Sequence, residues 1–303
     1  MRWKCISLDL SPSIRWLRPL LIRPRCWSSA IVAATCLSLA TSSVAQVPAI
    51  RDSEKNIQLC SRLESATPDA RISSCTALIE LGAKTPRALA VAYNNRGNAY
   101  NTKGEYDRAI ADYAESIKAD PKYARAFNNR GAAYQNLGQF KQAIDDFDHS
   151  IRLDPRSAPV FANRAGAYSK MGNYQSALRD YGEAIRLQPD LEQGWNGRCW
   201  VRAIMGQLRP ALTDCNEALR LNRQLAAALD SRGFTFLKLQ QWDAALADYD
   251  SALQIEPQLA TSLYGRGFLA VKKGNKADGE ADIAKAVAIS PNIATDFARY
   301  GVR

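Results

Sequence analysis

One histidine in 303 residues leaves little with which to build a reactive centre. That residue, His149, follows Asp148 on what the surrounding pattern makes the outer face of a helix, and it reads as a solvated helix residue, not a base. There is no Cys/His cluster at zinc spacing, no HExxH and no glycine-rich phosphate loop. No catalytic residue, metal site, cofactor or small-molecule substrate is therefore expected. Acidic pairs such as Asp145-Asp146 belong to a periodic pattern and are discounted as paired catalytic carboxylates. The apolar run near the N-terminus is short and rich in Ala, Ser and Thr, against the roughly 20 apolar residues a spanning helix needs. Lys and Arg outnumber Asp and Glu by 40 to 30, but without clustered basic runs, so nucleic acid is not an expected partner.

Much of that positive excess lies in the first 45 residues. Arg2, Lys4, Arg15, Arg18, Arg23 and Arg25 precede an Ala-rich stretch from Ala30 to Ala40, and Ser43-Val44-Ala45 follows. Basic, apolar and small residues in that order predict a secretory signal peptide over 1–45, cut after Ala45, and hence a periplasmic or secreted protein. The alternatives are an uncleaved anchor, which would be the chain's one tie to a membrane, or a start site placed too early. Cleavage leaves 34 basic and 29 acidic residues, a net charge of +5. Cys5, Cys26 and Cys36 leave with the leader, and Cys60, Cys75, Cys199 and Cys215 remain.

What the chain has in abundance is one stretch rewritten. Asn94 to Tyr123 reads NNRGNAYNTKGEYDRAIADYAESIKADPKY, and close copies run on from Asn128 and Ala162. More worn copies start near Asn196, Asp230 and Tyr264, so that Arg96, Arg130, Arg164, Arg198, Arg232 and Arg266 fall 34 residues apart. Stacked repeats share one continuous core, so a single domain is expected despite the length. Its units are 90–123, 124–157, 158–191, 192–225, 226–259 and 260–293. A linker (46–53) and a divergent helical pair (54–89) precede them, and a cap (294–303) carrying Phe297 and Tyr300 follows. In the divergent pair, Glu54 to Leu63 and Ala70 to Leu81 read as helices broken by Thr67-Pro68-Asp69, with Gly82 and Pro86 ending the pair.

Within a unit, apolar or small residues at positions 4, 8 and 11 and again at 17, 20, 24 and 27 give each half one helical stripe, with Arg202 at position 11 of the fourth unit and Lys276 at position 17 of the sixth as departures. Position 15 is Gly in five of six units and position 32 is Pro in five of six, natural stops for a first helix (A) and a second (B). Tyr93, Gly97, Tyr100, Ala109, Tyr113 and Pro121 resemble the signature of the tetratricopeptide repeat, whose period is 34 residues. The resemblance implies an all-α, right-handed α-α superhelical solenoid of stacked helix-turn-helix repeats. Small residues at positions 8 and 20 would let helices A and B approach closely.

Position 7 is always Arg and position 23 always Asp: Asp112, Asp146, Asp180, Asp214, Asp248 and Asp282. Reflection about the turn places the two opposite each other, predicting a ladder of structural ion pairs within or between units. In the fourth unit, Cys199 at position 8 and Cys215 at position 24 share one seam, while Cys60 and Cys75 flank the Pro68 turn. Two pairs at hairpin spacing in an exported chain read as two disulfides, with buried free thiols as the alternative.

In tetratricopeptide proteins helix A lines a concave groove, and positions 2, 5, 6, 9, 12 and 13 usually face it. Carried onto this chain, they give amides in the early units (Asn94, Asn98, Asn101, Asn128, Gln135) and Asn196 in the fourth. Aromatic and basic residues follow: Trp200, Phe234, Lys238, Tyr264, Phe268 and Lys272. Amides can pair with a peptide backbone, and an apolar row offers an anchor; the alternative is that these aromatics pack under the C-terminal cap or against the superhelical turn. The expected function is a non-enzymatic, protein-binding scaffold or adaptor of the bacterial cell envelope that holds a peptide or protein partner in this groove. The alternatives are a targeting or regulatory subunit of an envelope enzyme complex, or a membrane-anchored repeat protein if the leader is retained.

Overall fold

The computed structural model describes residues 58–61, 67–82 and 85–302. The expected signal peptide, its cleavage point and the linker lie outside these residues. Helix α1 covers 58–61, followed by α2 (Pro68–Glu80), α3 (Pro86–Thr102), α4 (Tyr106–Ala119), α5 (Ala124–Asn136), α6 (Phe140–Leu153), α7 (Ala158–Lys170) and α8 (Tyr174–Leu187). Then come α9 (Glu192–Ile204), α10 (Leu208–Leu221), α11 (Ala226–Lys238), α12 (Trp242–Ile255), α13 (Ala260–Lys272), α14 (Lys276–Ile289) and α15 (Ile293–Arg299). The described residues contain no strand, and none of their helices is long and apolar enough to cross a membrane. The fold is an all-α solenoid of stacked helix-turn-helix units.

The turns follow from local chemistry with two instructive departures. Gly104, Gly138, Gly172, Gly206 and Gly274 close each A helix in the left-handed region, with φ from +74° to +92°, where glycine meets no Cβ penalty. The fifth unit has Gln240 there and still adopts φ 60°. Likewise Asn222 takes the same extended backbone (φ −140°) before Arg223 that Asp154 takes (φ −139°) before Pro155. Packing of the stack therefore imposes the turn even where the favoured residue is missing.

Pro68 and Pro86 correct one expectation. They were expected to break or end helices, and instead each stands in the first turn of one, α2 and α3. A proline at the first helical position sacrifices only an amide that has no intrahelical partner. Thr67 and Thr85 cap the two helices, their hydroxyls accepting from the amides of Ala70 (3.2 Å) and Ala88 (3.1 Å).

The core is a row of aromatic rings laid over small residues. A Cβ on Gly97 would lie 2.7 Å from the Tyr113 ring, and one on Gly131 2.8 Å from Phe147. Ala109, Ala143, Ala177, Ala211 and Ala245 are fully buried across the same A–B contact. The rings also reach forward: a Cβ on Gly197 would meet Tyr181 of the preceding unit at 2.2 Å, and one on Gly265 would meet Tyr249 at 2.3 Å. One ring thus packs both within its unit and against the next, which makes the stack cooperative. Consecutive A helices touch (α3–α5, α5–α7, α7–α9, α9–α11 and α11–α13), while B helices have no such direct contacts. The A helices consequently lie on the inner side of the curve.

Candidate functional site

The invariant charges are structural elements of the stack. Arg96, Arg130, Arg164, Arg198 and Arg232 each grip the aspartate 16 residues on through Nε and Nη2, at 2.7 to 2.9 Å. Arg266 reaches Asp282 through Nε at 2.7 Å. The third nitrogen turns back to position 25 of the preceding unit where an acceptor exists there: Arg164 to Asp148 (2.5 Å), Arg232 to Asn216 (2.9 Å) and Arg266 to Asp250 (2.9 Å). Arg130 and Arg198 face Ala114 and Gly182 at that place. The ladder is therefore built within units and stitched between some of them. Its carboxylates are buried, Asp214 most deeply, held by both Arg198 and Arg202.

The cysteines are paired as two disulfides, Cys60–Cys75 and Cys199–Cys215, with Cα separations of 4.9 and 5.4 Å. The second lies in the core beneath Trp200 and Phe234.

On the inner face, many of the asparagines bond to one another. Asn129 Nδ2 donates to Asn94 Oδ1 (2.9 Å) and Asn98 Oδ1 (3.0 Å), and Asn163 Nδ2 to Asn128 Oδ1 (3.0 Å). Tyr113 adds its hydroxyl to Asn98 Oδ1 at 2.8 Å. Asn94 is 3 % exposed; its amide serves the seam between α3 and α5. Asn101, Gln135 and Asn196 differ, since their side-chain oxygens are buried without a hydrogen-bond partner.

The C-terminal half of the face is aromatic, and the chain's own tail lies on it. Phe234 is 1 % exposed and packs edge-on against Phe297 of α15 at 5.4 Å. Trp200 meets Phe234 at 4.9 Å and Tyr300 edge-on at 5.9 Å, while Tyr264 meets Phe297 at 4.6 Å. Phe268 is half-buried in the same cluster. Lys238 donates to the carbonyls of Ala203 (2.8 Å) and Ile204 (3.3 Å), capping the C-terminal end of α9, and burial lowers its pKa. Lys272 stays exposed, 5.4 Å from the Phe268 ring centre. The alternative expectation, that the aromatics pack under the C-terminal cap, is met at Trp200, Phe234 and Tyr264; nothing in the repeat pattern tells how far along the groove the cap reaches.

Asp230 occupies position 5 of the fifth unit, where the first, second and fourth have Asn. It is buried and accepts from Ser262 and Thr261, both at 2.7 Å, across the α11–α13 seam. Burial pushes its pKa up to about 6, against the opposing pull of the two hydroxyls. A carboxyl with a folded pKa above its unfolded value of about 4 holds its proton more tightly when folded. Its contribution is thus most favourable below about pH 4 and declines as pH rises towards 6. Asp230→Asn should raise stability at pH 7.5 by roughly 2 kcal/mol and remove that decline. Urea unfolding at pH 4, 5, 6 and 7.5 measures this, and a variant less stable than wild type at pH 7.5 would refute it.

His149 is exposed, its ring stacked on Phe127 at 5.3 Å with Nδ1 2.8 Å from the Asp145 carbonyl. Among the described residues no cluster of His, Cys, Asp and Glu could hold a metal ion.

Comparison with known proteins agrees with this geometry. The TPR repeat family matches residues 97–138 and 235–274, and the Tetratricopeptide repeat family matches 124–157 and 158–191. No curated protein matches the chain. A tetratricopeptide repeat protein from Parabacteroides merdae superposes over 83 % of this chain and 98 % of its own, with a TM-score of 0.65 at 16 % identity. PilF of Pseudomonas aeruginosa covers 69 % and 96 % (TM-score 0.57, 21 % identity). PilW, a type IV pilus biogenesis factor, covers 69 % and 98 % (TM-score 0.59, 19 % identity). At such identities the likeness is one of fold.

Proposed function

We propose, from the premise that this chain belongs to the tetratricopeptide-repeat family, that it is a protein-interaction scaffold whose partner binds the inner face of the A helices. The observation that carries this reading is the aromatic half of that face, where Trp200, Phe234 and Tyr264 already hold two aromatic side chains of a separate short segment. A surface that accepts Phe297 and Tyr300 has the depth and chemistry of an anchor site. Two buried disulfides support an oxidising compartment outside the cytoplasm, in keeping with the leader expected over 1–45.

The seam contacts decide which residues can test this. Asn94, Asn98 and Asn128 bond between helices and Phe234 is core, so truncating them would disturb the stack itself. Asn136, Lys170 and Lys272 recur at position 13 of A helices and are exposed. An Asn136→Arg, Lys170→Glu, Lys272→Glu variant should keep the wild-type melting temperature and lose at least tenfold in capture of the partner isolated by affinity purification from the periplasmic fraction. Equal capture by wild type and variant would reject the inner face as the site.

A further inference from the structure

We infer that residues 293–302 are a docked stand-in for the partner of the aromatic half, and that this partner is a short amphipathic helix bearing two aromatic side chains three residues apart, which binds by displacing α15. This inference rests on the groove reading above and narrows it to a ligand chemistry.

The tail reaches farther than covering the last unit requires. Its backbone neighbours are α13 and α14, yet Phe297 extends to Phe234 on α11 and Tyr300 to Trp200 on α9. Tyr174, at the start of α8, also senses it: its pKa is raised by burial and secondarily by Tyr300. The segment therefore runs along the groove past two units.

Its hold is purely apolar. Among the described residues no hydrogen bond or ion pair joins 293–302 to α9, α11 or α13; Arg299 bonds Asp296 and Tyr300 within the segment. Four of the five junctions between A helices, by contrast, carry polar bonds: Asn129 to Asn94, Asn163 to Asn128, Lys238 to the Ala203 carbonyl, and Thr261 to Asp230. A helix of 7 residues is also far below the length that sustains itself in water. It is helical because the groove holds it, and another helix with the same anchors could take its place.

The test uses the full-length chain, its Phe297→Ala/Tyr300→Ala variant, and a fluorescent peptide of sequence SPNIATDFARYGV, residues 290–302. Fluorescence anisotropy should show the peptide binding the variant, at least tenfold weaker binding to wild type, and none by a peptide with both aromatics changed to Ala. Equal binding to wild type and folded variant, or binding to neither, would overturn the inference. Should the variant lose its wild-type circular dichroism, hydrogen exchange on wild type decides. Amides of 293–302 are expected to exchange at least a hundredfold faster than those of α13, and equal protection would overturn displacement. Light scattering supplies a further check, since a wild-type dimer formed by exchanged tails would make a second copy the occupant and overturn the partner assignment. If the peptide fails while the position-13 variant still loses its partner, this inference falls and the scaffold reading stands.

Discussion

Arg130→Met is expected to lower the free energy of unfolding by about 3 kcal/mol at neutral pH. The reason lies in what it leaves behind. Asp146 is 5 % exposed, and both of its oxygens accept from Arg130 alone, at 2.8 and 2.7 Å. Removing the guanidinium strands a buried carboxylate, and that penalty exceeds the modest net gain of forming the pair. Arg130 is the clean place to measure it, because Ala114 opposite its third nitrogen offers no second acceptor, whereas Arg164 is shared by Asp180 and Asp148. The double variant Arg130→Met/Asp146→Leu should return to within about 1 kcal/mol of wild type, since apolar groups of similar volume replace a buried pair at little cost. Urea unfolding followed by circular dichroism checks both. A single variant within 0.5 kcal/mol of wild type, on the roughly 3 kcal/mol scale expected, would mean that the ladder contributes register at most.

The contrast between what could and could not be read in advance turns on periodicity. Arg96 and Asp112 recur with every unit at a fixed separation of 16, and a reflected antiparallel hairpin leaves only one way for them to meet. The cysteine pairs obey the same geometry. The tail does not: Tyr300 meets Trp200 a hundred residues away, and that distance depends on how the whole stack curves, which no single unit encodes. The asparagines are an intermediate case. Their position on the A helix is legible, but Asn94 and Asn129 come from neighbouring A helices, and how closely two units approach is set by the stacking between them, which the pattern within one unit does not state. Pro68 and Pro86 were misplaced for a local reason: proline both follows helices and begins them, and only the capping threonines before each decide which.

Loss of the Cys199–Cys215 disulfide should be as costly as any charge removal and should act at a distance. A bond closing a loop of this size contributes roughly 3 kcal/mol by restricting the unfolded chain. The first, second and fifth units fill this seam with a glycine under a ring, as Gly131 lies under Phe147; the fourth has two sulfurs, both fully buried. Position matters as much as magnitude. In a stack where each unit is stabilised chiefly by its neighbours, weakening the fourth of six separates the array into blocks, whereas weakening the N-terminal pair frays an end. Cys199→Ala/Cys215→Ala is therefore expected to expose α11–α14 to hydrogen exchange together with α9 and α10, while Cys60→Ala/Cys75→Ala accelerates exchange mainly in α2. The first variant should also release the tail, because Trp200 is adjacent to Cys199 and forms the far end of the surface that holds Tyr300. Melting under reducing and non-reducing conditions gives the magnitude; coincident melts would show that neither bond stabilises the stack. Equal exchange of α11–α14 in the two variants would show instead that the disulfide acts as a local staple, leaving the aromatic site to be held by its rings alone.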